Sequence, residues 1–221
     1  MKLFLGPDKF QTEFDFTIPK VDQIGIFMSG GLDSTALLSL IITELKNTDR
    51  LEQTKIIAFT VKKPTLEPIY AKRMLDLITK HFNVEIQHDN NLENSIKHYN
   101  SGTMDLKQIT NMLSKYHEIL MYAGFNNAPP KEIKPFDGDL GFIYKSSNAY
   151  RTPFLNMLKP QMINLYSKLE IEHLIPYTHS CSKWPIGRCN QCYSCNERNW
   201  GFSELGLNDP ETIHLEKSDL T

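Results

Sequence analysis

A chain of 221 residues with 40% hydrophobic side chains carries enough apolar material for one large domain, with or without a small appendage. Its formal net charge of -2 and pI near 6.4 supply no basic field, which argues against nucleic acid as a partner. No apolar run approaches the roughly 18 residues of a membrane span, and Gly6-Pro7-Asp8 interrupts any leader pattern at the amino end, so the sequence reads as a soluble, cytoplasmic protein.

In chain order, Phe10, Thr12, Phe14, Phe16 and Ile18 alternate with polar residues, the period of a strand with one buried face. Residues 1–20 are therefore expected to form a strand or hairpin extension that adds to the sheet or covers an interface. Residues 24–28 (I-G-I-F-M) read as a central strand covered on both faces. They empty into Ser29-Gly30-Gly31, and a helix is expected from Ser34 to Lys46, with Leu37, Ile41 and Leu45 on one face. A strand, a glycine turn and a helix amino end together make an anion cradle. The glycines let a ligand approach the main chain, and the helix aims free N–H groups and its dipole at the turn. The lysine of the Walker pattern is missing, since Leu32-Asp33-Ser34 follows the glycines.

Residues 55–61 (K-I-I-A-F-T-V) form the next expected strand, whose end includes Phe59 and Thr60. Residues 65–82 have helical spacing, 84–87 read as a third short strand, and the Asn-rich stretch 90–102 as a loop or frayed helix. A helix over 105–116 and a fourth strand within 119–125 complete an alternation that predicts a parallel α/β sheet. Ligands of such sheets sit beyond the carboxyl ends of the strands. The segment 126–151 opens on that edge. Connections longer than about 12–15 residues are usually functional or disordered, and this one reads as a substrate lid. Pro160 suits the first turn of a helix running through Leu169, and a short helix is expected over 171–174.

All four cysteines, Cys181, Cys189, Cys192 and Cys195, follow the pattern C-x7-C-x2-C-x2-C. Two-residue spacers let successive thiolates meet one ion, and Zn²⁺ is the default for a closed four-thiolate site. An iron–sulfur cluster stays open from the same ligands. His173 and His179 read as packing or surface residues, because four thiolates already close the shell.

Two distant segments carry a resemblance. S-G-G-L-D-S at 29–34 resembles the pyrophosphate loop of the PP-loop ATP pyrophosphatases, which split ATP into AMP and pyrophosphate. The tail, with T-P-F-L-N-M-L-K at 152–159, T-H-S-C at 178–181 and G-R-C-N-Q-C-Y-S-C-N-E-R at 187–198, resembles the 7-cyano-7-deazaguanine synthase family of queuosine-precursor biosynthesis. The resemblance implies a Rossmann-like α/β domain of the adenine-nucleotide alpha-hydrolase type over 21–150, followed over 151–221 by a helical region with a structural zinc. It implies ATP-driven conversion of 7-carboxy-7-deazaguanine with ammonia, through an adenylated carboxylate and an amide, to the nitrile.

Carried over by position, Ser29, Gly30, Gly31, Leu32, Asp33 and Ser34 would hold ATP, with Phe59 and Thr60 beside them. Lys159 would be a catalytic phosphate partner. Asp33 would either position Mg²⁺ or cap the helix, Asp being a favoured N-cap. Asn126, Asn127 and Arg151 are the candidate substrate contacts, and Arg188 and Arg198 match basic residues near the zinc knuckle. Outside the resemblance, Lys159 reads as a solvated surface residue.

The chain departs from the family in the parts expected to read the deazapurine. Val61-Lys62-Lys63-Pro64 replaces an Asp-Tyr-Gly-Gln type segment, a Pro-Gly-Arg-Asn signature is missing before Asp105, and Asn126-Asn127-Ala128-Pro129-Pro130 replaces an acidic loop. Adenylation of another carboxylate or of a tRNA base, and a non-catalytic ATP sensor, therefore stay open. A homodimer is also open. A thiolating enzyme would want a cysteine beyond the four metal ligands, and this chain has none.

Overall fold

A computed structural model of the chain describes residues 1–62, 66–93, 115–116, 118–130 and 150–215. Its centre is a four-stranded parallel sheet in the order β5-β4-β3-β6. The strands are β3 Gln23–Phe27, β4 Lys55–Lys62, β5 Gln87–Glu93 and β6 Leu120–Tyr122. Helices α1 Leu32–Asn47 and α2 Glu67–Phe82 connect them, and α3 Lys159–Lys168 and α4 Tyr193–Glu204 follow. This is the expected fold class: a PP-loop-like parallel sheet with flanking helices, and a helical carboxyl-terminal region bearing a four-cysteine cluster. No helix of the described residues is long and apolar enough to cross a membrane.

The core follows from the apolar runs. Ile24 and Ile26 of β3, and Leu37, Leu38, Ile41, Ile42 and Leu45 of α1, are all fully buried. Each such side chain contributes about 1.5–3 kcal/mol when removed from water. α1 is apolar around most of its circumference because it lies against β3, α2 and α3 at once.

Three expectations need correction. The third strand is not 84–87 but Gln87–Glu93. α2 ends on Asn83 in the left-handed conformation, with φ of 51° and its N–H on the Thr79 carbonyl, and residues 84–86 are spent reversing the chain. The Asn-rich residues up to 93 then pair with β4, from Ile57↔Gln87 to Lys62↔Glu93, with a register shift between Phe59 and Val61. Ladder bonds to β4 set the strand here, and its polar composition hides it.

The amino-terminal extension forms a hairpin, β1 Lys2–Leu5 against β2 Thr12–Asp15, as a separate antiparallel sheet instead of an addition to the central one. The outer edge of β6 is already taken by Arg151, whose N–H donates to the Met121 carbonyl at 2.8 Å and whose carbonyl accepts from Ala123 at 2.9 Å. The hairpin instead packs Phe14 against Phe154 and Phe16 against Tyr122, with ring centroids 5.9 and 6.1 Å apart. Gln161 Nε2 of α3 ties it down by donating to the Phe10 carbonyl at 2.6 Å. Finally, the expected helix at 171–174 is a 3-10 helix over Glu172–Tyr177.

The interior of the 126–151 segment from 131 to 149, residues 94–102 of the expected Asn-rich loop, and the expected helix 105–116 up to residue 114 lie outside the described residues.

Candidate active site and metal centre

Beyond the carboxyl end of β3 the chain turns through Ser29, Gly30 and Gly31 into α1, whose N-cap is Gly31. The turn is internally braced: Ser29 Oγ and Ser34 Oγ lie 3.2 Å apart, the Gly31 N–H donates to Ser29 Oγ at 3.3 Å, and Ser34 Oγ donates to the Gly31 carbonyl at 3.2 Å. The first intrahelical bond is Thr35 N–H to Gly31 O at 3.1 Å. The N–H groups of Leu32, Asp33 and Ser34 therefore precede the helical ladder and are the donors an anion would use. Gly30 has φ of +76°, and a Cβ there would lie 2.5–2.7 Å from backbone atoms of Tyr70 and Ala71 on α2, so only glycine fits this approach.

The tail closes over this turn. The His179 N–H donates to the Gly30 carbonyl at 3.0 Å, and its ring stacks on Tyr70 at 4.2 Å between centroids. His179 is thus a packing residue, as its sequence context suggests, but it also joins the metal-bearing segment to the glycine turn. Burial holds its imidazole below the usual histidine pKa.

Lys159 and Asp33 meet. Lys159 Nζ lies 2.7 Å from both carboxylate oxygens of Asp33, 3.2 Å from Asn126 Oδ1 and 3.2 Å from Glu197 Oε2. The lysine is 4% exposed, so the solvated reading of it fails. Asp33 does not cap α1; it is the second helical residue, and its carboxylate goes to Lys159. Burial alone would lower the pKa of this lysine, but the carboxylates of Asp33 and Glu197 outweigh burial and hold the pKa above the ordinary value.

Lys159 opens α3, where a cation is opposed by the helix dipole. Its stem passes under Gly201 of α4, where a Cβ would come within 2.7 Å of Lys159 Cγ. Asn126 bridges the group, donating through Nδ2 to Glu197 Oε1 at 2.8 Å. Burial is the first cause pushing the Glu197 carboxyl above the usual range.

Other candidates are less central. Asn127 is held by its backbone N–H on the Met157 carbonyl at 2.7 Å, and its side chain is exposed. Arg151 is exposed and serves the sheet through its backbone. Phe59 is a core residue, 1% exposed, with its ring edge-on to Tyr116 at 5.1 Å and its carbonyl bonded to Met28 N–H. Thr60 lies behind the turn, donating to the Met28 carbonyl at 2.9 Å and sharing a 2.9 Å contact with His88 Nε2. Leu32 is buried, and its carbonyl accepts from Tyr166 OH at 2.7 Å.

The cysteines converge. The four Sγ atoms all lie within 4.8 Å of one another, with Cys189–Cys195 and Cys181–Cys192 at 4.0 Å. A tetrahedron with metal–sulfur bonds of about 2.3 Å has edges of about 3.8 Å, so the set fits one ion such as Zn²⁺. Backbone N–H groups of Trp184 and Cys192 donate to Cys181 and Cys189 sulfurs at 3.3 and 3.2 Å. Burial opposes the Cys192 thiolate, yet donors from Ser182 and Cys195 together outweigh it and bring that thiol down to about 6.

Arg188 and Arg198 are structural ties: both bond the Asp209 carboxylate, and Arg198 also donates to Thr178 Oγ1 at 2.7 Å and the Ile175 carbonyl at 3.2 Å. Sequence reasoning missed Glu197. The available signal was a Glu-Arg pair one turn after a cysteine ligand, on the face that carries Gly201 and Phe202.

The sheet, the braced glycine turn and the cysteine-bearing tail define a PP-loop-like nucleotide-binding fold joined to a metal-chelating segment. Two family models match: one described as Queuosine biosynthesis protein QueC over residues 132–206, and one described as Asparagine synthase over 21–117. The 7-cyano-7-deazaguanine synthase of Pelobacter propionicus is 32% identical over 101 residues, 42% of this chain and 44% of that protein. That of Persephonella marina is 25% identical over 229 residues, 85% of this chain and 95% of that protein. Among solved structures, the U34-tRNA thiolase NcsA of Methanococcus maripaludis superposes with a TM-score of 0.44 at 12% identity, covering 83% of this chain and 65% of that one. The first curated relatives are matched over less than half of their length. The resemblance to the 7-cyano-7-deazaguanine synthase family is borne out by these relatives.

Proposed function

We propose that the chain is an ATP-dependent carbon–nitrogen ligase that adenylates 7-carboxy-7-deazaguanine and amidates it with ammonia. The observation that carries this reading is the buried Lys159–Asp33 pair beside the braced 29–34 turn. A carboxylate oxygen of the acid attacks the α-phosphorus of ATP and pyrophosphate leaves. The ammonia nitrogen then attacks the acyl carbon and AMP leaves, giving the amide. A second ATP then adenylates the amide oxygen with loss of pyrophosphate, and departure of that oxygen with AMP, as the nitrogen gives up its two protons, gives the nitrile.

In this reading Ser29, Gly30, Gly31 and the first N–H groups of α1 hold the phosphates, and Lys159 balances charge that develops on them. Asp33, with its side chain 25% exposed, is the residue fitted to hold Mg²⁺, which would neutralise the departing pyrophosphate. The four cysteines would hold Zn²⁺ as a structural ion. Asn126, which sits on Lys159 and Glu197, faces the acid in this reading, with Asn127 and Arg151 beyond it.

The replacement of the family's substrate-reading segments, including Val61-Lys62-Lys63-Pro64, favours as second reading the adenylation of a different carboxylate. The test is pyrophosphate release from ATP and Mg²⁺ with ammonium, with and without 7-carboxy-7-deazaguanine, products being read by mass. Acid-dependent release with amide or nitrile is expected. ATP binding without acid-dependent release would overturn the first reading in favour of another acceptor or a sensor.

A further inference from the structure

We propose that Glu197 is a positioning residue: the counter-ion that stays with the Lys159 ammonium when the phosphates of ATP take it from Asp33. The inference rests on the adenylation reading above. A lysine ammonium has three N–H donors. Here they face two oxygens of Asp33 at 2.7 Å, Asn126 Oδ1 at 3.2 Å and Glu197 Oε2 at 3.2 Å. No donor is left over for a phosphate, so Lys159 reaches one only by giving up a partner.

Asp33 is the partner to be given up. It stands in the first turn of α1, beside the turn that would carry the phosphates, and its side chain is 25% exposed against 8% for Glu197. Once released, its carboxylate is open to the cation that travels with ATP. Without Glu197 the exchange would leave a buried ammonium with neutral Asn126 as its remaining partner among the described residues, and an unpaired buried charge is costly. Glu197 prevents this.

Its own place is fixed twice. Asn126 Nδ2 holds Oε1 at 2.8 Å, and α4 lies on the Lys159 stem at Gly201, too close for a Cβ. The tail helix that begins at the cysteine knuckle therefore delivers the second carboxylate to Lys159.

The test uses the full metal-loaded chain and its Glu197→Gln variant, which keeps the shape and an acceptor for Asn126 but removes the charge. Zinc content and ATP affinity are expected to stay within about threefold of the native chain. Pyrophosphate release is expected to fall about 10²-fold at saturating ATP, the scale of a misplacement of about 1 Å. Glu197→Asp is expected to recover part of the loss. Native turnover in Glu197→Gln overturns the proposal. So does a parallel loss of zinc and ATP affinity, which would make Glu197 a packing residue.

If the native chain shows no acid-dependent pyrophosphate release, the substrate reading fails and the side-chain ammonium NMR signal of Lys159 decides separately. That signal, assigned by its absence in Lys159→Arg, is expected to be slow to exchange with solvent and to shift with ATP and Mg²⁺. It should broaden in ATP-bound Glu197→Gln; an unchanged signal there overturns the proposal.

Discussion

Replacing Gly30 by alanine tests the claim that the nucleotide turn is wedged against α2. The residue has φ of +76°, and a Cβ would lie 2.5 Å from the Tyr70 carbonyl carbon and 2.7 Å from Ala71 N. A left-handed non-glycine residue costs about 1–2 kcal/mol. Forcing a methyl group against backbone that has no rotamer to escape to costs about 1–3 kcal/mol more. The sum, about 2–5 kcal/mol, is a large share of the roughly 5–15 kcal/mol that holds a domain together.

The neighbouring glycines calibrate it. At Gly124 a Cβ would stand 3.0 Å from Asp33 backbone atoms, and at Gly31 its nearest contacts are 3.3 Å away, each with ordinary negative or extended φ. Gly124→Ala is expected to cost about 1 kcal/mol and Gly31→Ala less. Urea unfolding of the zinc-loaded chains measures the order. With a slope of about 2–3 kcal/mol/M, Gly30→Ala moves the midpoint down by about 1 M or more. ATP affinity should follow the same order. Equal midpoints for Gly30→Ala and Gly31→Ala, or the reverse order, would refute the wedge.

Two further predictions concern the tail and the protonation of the sheet edge. Removing the metal with a chelator is expected to open the 178–215 segment, seen as a change in Trp200 emission as its ring leaves Phe10, and to weaken ATP binding because His179 holds the Gly30 carbonyl. In small zinc modules the metal is worth about 10–16 kcal/mol, and full ATP affinity in the metal-free chain would disprove the coupling. His88 and His179 are held below the ordinary histidine value of about 6.5, chiefly by burial. The unfolded chain therefore takes up protons first. Their contribution to stability is complete above about pH 6.5 and declines as pH falls below it. The melting temperature should drop on acidification, and His88→Gln, which keeps a partner for Thr60, should flatten that slope; an unchanged slope would count against a half-buried neutral His88.

The fold was legible where burial and periodicity coincide. β3, α1, β4 and α2 are apolar runs or stripes whose period matches their burial, so pattern alone places them. β5 was placed too early because an edge strand is fixed by ladder bonds to β4, and its His88-Asp89-Asn90-Asn91 has the composition of a loop. The glycine turn and the cysteine set were legible because their spacing is local: six consecutive residues in one case, fifteen in the other. The contacts that bring the charged residues together were not, and Glu197 was not singled out at all. Asp33, Asn126, Lys159 and Glu197 come from four segments, with Lys159 and Asp33 separated by 126 positions and Asn126 and Glu197 by 71. No period links such residues. At Phe59 the strand pattern does not say which way the ring points, and the structure turns it inward against Tyr116.

The charged group can still be argued for on energetic grounds. A lysine at the first position of α3 meets the positive end of the helix dipole, and Glu197 lies on the buried face of α4 at 6% exposure. Either residue alone is a local mistake. Together they cost desolvation that a well-packed apolar pair would avoid, and such replacements are often neutral or stabilising by about 1–4 kcal/mol. Stability therefore does not account for the group. Its position does, at the first turn of α1, with one carboxylate partly open and the other sealed. Lys159 and Glu197 both come from chain beyond residue 150 and Asp33 from chain before it, while Arg151 bonds the strand β6 across the same point. The glycine turn and the cysteine-bearing tail thus meet at Lys159, and neither supplies the lysine environment alone.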